Sequence, residues 1–202
     1  MKDIPMIDVK SIGIFNEAFR SLRETSKYNP NGNDSYMTNS DLKVVNFDLV
    51  KDKYIENLSL PKAAKSSDAF YFNNLGEMYL IEFKSGRMDN KERRSIRLKV
   101  LESLLMLTDI LKTGISYTRH NLSFILVYNE TKNPIGKVDE ENDLQDSPSK
   151  VYIKKYFLEK PKKKFIRFGL SKFEKLYFKD VYTVSEDEFE NKFVKNWSKS
   201  AS

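Results

Sequence analysis

Hydrophobic and polar positions along this chain change period several times, and each change marks an expected element. From Ser11 to Tyr28 the apolar residues Ile12, Ile14, Phe15, Ala18, Phe19 and Leu22 fall near helical spacing. With Ser11 as N-cap and Asn29-Pro30-Asn31-Gly32 as a stop, they predict an amphipathic helix. Asp68-Ala69-Phe70-Tyr71-Phe72 and Met78-Tyr79-Leu80-Ile81-Glu82-Phe83-Lys84 are aromatic and β-branched runs. Asn73-Asn74-Leu75-Gly76-Glu77 joins them with turn chemistry, so a β-hairpin is expected. Asp89 or Asn90 can cap a long helix that runs to about Lys112 and closes at Thr113-Gly114. Its first half is basic (Lys91, Arg93, Arg94, Arg97, Lys99) and its second half apolar. Leu122-Ser123-Phe124-Ile125-Leu126-Val127-Tyr128 is a short apolar run suited to a strand buried on both faces.

The intervening stretches are less regular. Residues 29–40 are rich in Asn, Ser and Gly and predict a loop, whereas Leu42 to Val50 fits a short helix or a strand equally well. Residues 129–149 read as a loop-rich surface insertion containing Pro134, Gly136 and Pro148. A helix is expected around Ser149 to Leu158, then the basic run Lys160 to Lys164, a strand at Phe165 to Gly169 and an aromatic stretch from Leu176 to Tyr182. Ser185 can cap an acidic helix from Glu186 to Val194, with Glu188 as its capping-box partner. A chain of 202 residues suits one core, so residues 1–202 are expected to form a single α/β or α+β layered domain.

Composition narrows the chemistry. The chain has no cysteine and one histidine, His120, which excludes disulfides, thiol catalysis, thiolate metal sites and any mechanism that needs two histidines. Catalysis would have to rest on carboxylates, lysine, hydroxyls or a metal held by oxygen ligands, which favours Mg²⁺, Mn²⁺ or Ca²⁺. No run approaches the roughly 20 apolar residues of a membrane span, and the N-terminus lacks the pattern of a secretory signal, so a cytoplasmic location is expected. The net charge of +6 and pI near 9.2 are compatible with a polyanionic partner but do not require one. His120 reads as a loop or edge residue rather than a general base.

Asp68 opens the first hairpin strand, and Glu82 and Lys84, two apart on the second, project from one face. With strand twist, both carboxylates and the ammonium can converge on one point. Two hard oxygen ligands suit Mg²⁺, and a lysine can orient or deprotonate a water beside a phosphate. Glu-x-Lys is also a common solvated pair. Here the flanking Leu80, Ile81 and Phe83 make the strand apolar enough to be central, where charges are costly unless paired or ligating.

The stretch resembles the PD-(D/E)XK nuclease superfamily, which is marked by an acid at a strand start, a hairpin, then (D/E)-x-K and a helix. Ser67-Asp68 stands for the first half, Ile81-Glu82-Phe83-Lys84 for the second and Asn90 to Lys112 for the helix; the proline before the aspartate is missing. Residues 11 to 128 follow the element order. The resemblance implies a restriction-endonuclease-like core, a central mixed β-sheet flanked by helices, and Mg²⁺- or Mn²⁺-dependent cleavage of DNA or RNA, DNA ahead of RNA. It implies that Asp68, Glu82 and the Phe83 carbonyl hold the metal while Lys84 assists the attacking water. It further implies an acid from the first helix, with Glu17 favoured over Glu24, and basic residues near the phosphate, for which Arg94, Arg97 and Lys99 are the matching types. Lys162, Lys163 and Lys164 are further phosphate-binding candidates from the basic run. Restriction, repair, defence and toxin roles stay open, as does a homodimer or a protein partner. So does a degenerate relative that kept the fold and lost turnover, or an immunity-type protein that docks through Asp139-Glu140-Glu141 and Glu186-Asp187-Glu188.

Overall fold

A computed structural model describes residues 7–61, 64–135 and 165–200. The first expected helix is replaced by several short elements. A 3₁₀ turn, Val9–Ser11, is followed by α1 (Gly13–Asn16), β1 (Phe19–Ser21), α2 (Leu22–Thr25) and β2 (Lys27–Tyr28). Ser11 caps nothing here; Ser21 does, through a reciprocal capping box with Glu24. Strand pairing overrides the helical spacing, because Phe19–Ser21 lies antiparallel to Lys43–Asn46 at the edge of the main sheet. Within residues 29–40, β3 (Ser35–Tyr36) pairs with β2 in a small separate ribbon.

The ambiguous stretch contains both alternatives in succession: β4 (Lys43–Asn46) runs directly into α3 (Phe47–Asn57). Asn46 marks the switch, since its side-chain oxygen accepts from Leu49 N at 3.1 Å and caps the helix. The hairpin forms as expected, with β5 (Ala69–Phe72) antiparallel to β6 (Met78–Lys84). Asn73 Oδ1 accepts from Leu75 N and Glu77 N across its turn, and Gly76 takes φ +77°. α4 (Asn90–Ile110) is capped by Asp89 and α5 (Ile115–Asn121) follows it. β7 (Leu122–Tyr128) is buried along its whole length.

Residues 165–169 do not form the expected strand. Phe168 and Gly169 both take left-handed φ values, and the buried Phe168 ring anchors a turn. β8 (Val181–Ser185) is the next strand, capped into a helical run by Ser185 and Glu188 as expected. That run comprises α6 (Glu186–Phe189), a π-turn (Glu190–Val194) and α7 (Lys195–Ser200). The helix expected at 149–158 and the run Lys160 to Lys164, with Lys162, Lys163 and Lys164, lie outside the described residues.

The main sheet is mixed, in the order β1-β4-β5-β6-β7-β8. β1 to β6 pair antiparallel along that order, and β6/β7 and β7/β8 are parallel. One face, with Val45, Phe70, Leu80, Phe124 and Leu126, packs with Phe47 and Val50 of α3 and with Ile96, Val100, Leu104 and Leu107 of α4. The other face, with Ala69, Tyr71, Ile81, Ile125, Val127 and Val184, packs with Phe189, Phe193, Val194 and Trp197. The described residues therefore form an α/β fold with helices on both sides of a six-stranded mixed sheet. No helix among the described residues is long and apolar enough to cross a membrane.

Candidate functional site

The first face of the sheet stays apolar along β6 from Met78 to Leu80 and then turns charged. Strand alternation points Glu82 and Lys84 the same way as Leu80, toward α4. Asp68 precedes β5 and is fixed by its own backbone: its N–H donates to Ile81 O at 3.0 Å, and its carbonyl accepts from Phe47 N at 3.0 Å. Its carboxylate Oδ2 accepts from Phe83 N at 2.6 Å. Because Ile81 O and Phe83 N both face Asp68, alternation turns the Phe83 carbonyl to the same side, just past the end of β5.

Helix α4 lays a stripe of one-sided positions across this region. Glu92, Ile96, Lys99 and Ser103 follow 4-3-4 spacing and share one face. Glu92 pairs with Lys84, and Ser103 Oγ accepts from Ser67 N at 2.7 Å. Between them, Lys99 Nζ lies 2.7 Å from Glu82 Oε1 and 3.6 Å from Asp68 Oδ1. Lys99 therefore bridges the two acids.

Burial dominates the electrostatics. Glu82 is 1% exposed, and its Oε2 has no hydrogen-bond partner. Desolvation, reinforced by the neighbouring Asp68 charge, holds its carboxyl well above the usual range, against the pull of Lys99. Burial also pushes Asp68 up to about 6, although Lys99 and the Phe83 N–H bond favour its charged form. Burial works against the Lys99 ammonium, but Glu82 and Asp68 outweigh it and hold that group above the ordinary lysine range.

Asp48, in the first turn of α3, adds a third negative charge that acts on Asp68, Glu82 and Lys99 alike. It accepts from Ser66 Oγ and pairs with Lys51 at 3.2 Å. This acid was missed because residues 42–50 fit two element types; an Asn cap followed by an acid in the first turn was its signal. Glu17 instead stands on the surface, paired with Lys53 at 2.5 Å, and Glu24 is spent in the α2 capping box.

The structure thus brings Asp68, Glu82 and Lys99 together, leaves Lys84 on their side of β6 but engaged with Glu92, and separates Glu17 from them. Arg94 is exposed, and Arg97 donates to Phe168 O at 3.2 Å rather than facing the acid pair. His120 sits in the last turn of α5, beside Ser116 O. Among the described residues, no three His, Cys, Asp or Glu side chains stand close enough together to hold a metal ion. The donors at hand are two carboxylates and a backbone carbonyl. That set still fits Mg²⁺, which is commonly held by one or two carboxylates and completes its shell with water and substrate oxygens. The unpartnered Oε2 of Glu82 is a free donor in such a set. Comparison with protein-family models, with curated proteins and with solved structures found no match for this chain.

Proposed function

We propose that this protein is a divalent-metal-dependent nuclease of the PD-(D/E)XK type, hydrolysing phosphodiester bonds of DNA or RNA. The observation that carries the reading is the meeting of two buried carboxylates, Asp68 and Glu82, both pushed above their ordinary pKa by burial, with a lysine two residues beyond Glu82 on the same strand face. The element order adds support: antiparallel β4, β5 and β6 follow one another, then α4, then β7 parallel to β6. This is the arrangement that a restriction-endonuclease-like core would have.

In this reading Asp68, Glu82 and the Phe83 carbonyl hold Mg²⁺ or Mn²⁺, which when bound supplies Lewis acidity and a more acidic water. The protein's own groups do the rest. The hydrogen bond from Phe83 N fixes the rotation of the Asp68 carboxylate. Lys84, on the acids' side of β6, could as an ammonium turn from Glu92 to orient the attacking water and balance the charge that develops on the phosphate, the water's proton passing to solvent. The bond between phosphorus and one ester oxygen would break as the bond to the water oxygen forms, and the leaving oxygen would take up a proton from solvent. Asp48, rather than Glu17, is the helix acid best placed to add negative charge near the metal.

One observation favours a second reading, in which the fold persists without turnover. Lys99 already balances the acid pair and Glu92 already engages Lys84, so the charges are paired without a metal. An assay of supercoiled plasmid, linear DNA and structured RNA with Mg²⁺, Mn²⁺ or EDTA separates the two. The nuclease reading predicts cutting that EDTA, Asp68→Ala and Lys84→Ala each abolish. Failure to cut any of these substrates leaves the degenerate binding protein.

A further inference from the structure

We propose that Lys99 is the site's resident counter-cation, its ammonium lying where a divalent ion would bridge Glu82 and Asp68, so that metal entry and Lys99 withdrawal are one event. This rests on the metal-site reading and goes beyond it, because it gives one side chain control over when the site is loaded.

Lys99 Nζ contacts Glu82 Oε1 at 2.7 Å and Asp68 Oδ1 at 3.6 Å, the two groups that the metal would link. A dication and an ammonium cannot share those two carboxylates at close range without strong repulsion. The backbone that carries Lys99 is pinned by its place inside the continuous helix α4 and by Ser67 N, which donates to Ser103 Oγ one turn on. Withdrawal therefore has to come from the side chain, whose four-carbon stem has the needed freedom. Its 29% exposure leaves a route to water, whereas the side chain of Glu82, 2% exposed, cannot move out to meet a metal elsewhere.

Leaving the acids without any cation is disfavoured, because a buried carboxylate pair needs compensation. Lys99 meets that need when no metal is present, with Asp48 adding to the negative field around it. It does so incompletely: Glu82 Oε2 keeps no partner, so a cation that contacts both oxygens has an advantage over the ammonium. The arrangement is an exchange of one cation for another on a fixed pair of acids.

The test is calorimetric titration with Mn²⁺ of wild type, Lys99→Gln and Lys99→Arg, each checked for folding by metal-free thermal melting. Lys99→Gln should bind Mn²⁺ at unchanged stoichiometry with a Kd about tenfold lower, and Lys99→Arg, which keeps the cation, should stay near wild type. Lys99→Gln should also melt earlier without metal and gain more from Mn²⁺ than wild type does. A folded Lys99→Gln protein that binds Mn²⁺ no more tightly than wild type overturns this inference alone, whereas absence of binding in every variant overturns the metal site as well. If Lys99→Gln does not fold, the ¹⁵N signal of the wild-type Lys99 ammonium decides. Its hydrogen-bonded resonance should be lost on Mg²⁺ saturation, and a resonance unchanged by bound Mg²⁺ contradicts the exchange.

Discussion

The two faces of β6 are built on opposite principles although they belong to one strand. On one, Tyr79, Ile81 and Phe83 meet the C-terminal helical run through a mostly aromatic cluster: Phe83 sits edge-on to Phe189 at 5.6 Å, and Trp197 lies 5.0 Å from Tyr79 and stacks on Tyr71 at 4.2 Å. On the other, Met78 and Leu80 give way to Glu82 and Lys84, and α4 answers with Lys99 and Glu92. The aromatic face gains from burial wherever its rings touch. The charged face takes two carboxylates out of water and keeps one oxygen unpartnered. A fold can carry that cost where the site has a use for charge, and the closed aromatic face is what supports it.

Breaking the aromatic face should have the largest effect on stability. Trp197→Ala removes a ring that touches Tyr71, Tyr79, Phe189 and Phe193, and should cost about 3–5 kcal/mol by urea denaturation. Because those contacts lie across the sheet from Glu82, surviving folded protein should bind Mn²⁺ with wild-type affinity.

Next comes pH, acting on the charged face. Asp68 titrates near 6 in the folded protein against its ordinary 3.8, so between those values the folded state holds the proton that the unfolded chain releases. Stability is then fully present below about pH 4 and lost as pH rises through 6, by up to about 3 kcal/mol for this group. Glu82 contributes with the same sign. Metal-free melting curves across pH 4 to 8 should show this decline, and Asp68→Asn should flatten it.

Ser103→Ala, which strands the buried Ser67 N–H, should cost about 1–3 kcal/mol and loosen Lys99, read as a shift in Mn²⁺ affinity alongside the melting point. The smallest effect belongs to Glu17→Ala. That exposed side chain pairs only across the surface with Lys53, so cleavage and melting temperature should both stay at wild-type values.

The charged face was largely legible in the sequence because its signals are local. Turn residues at Asn73 and Gly76, period-2 alternation through Met78–Lys84 and a capped 21-residue helix are each set by neighbours in the chain. Lys99 was visible as a basic residue of α4. It was expected near the phosphate, but its direct contact with both acids was not, since that depends on how the helix is rotated over the sheet. The 4-3-4 relation of Glu92, Ile96, Lys99 and Ser103 was the available hint. The N-terminal region misled because the same apolar residues that mark a helix also fill short elements along a sheet edge, and only pairing with β4 distinguishes them. Asp48 was hidden by the strand-to-helix switch at Asn46. The turn at Phe168 depends on packing against Tyr128 and Arg167, which no local pattern encodes.

The most direct test is anomalous diffraction from crystals soaked in Mn²⁺. The account predicts a peak bounded by the carboxylates of Asp68 and Glu82 and the Phe83 carbonyl, with the Lys99 ammonium moved away from both acids. A saturating soak that leaves Lys99 between the acids and puts no peak there would contradict it.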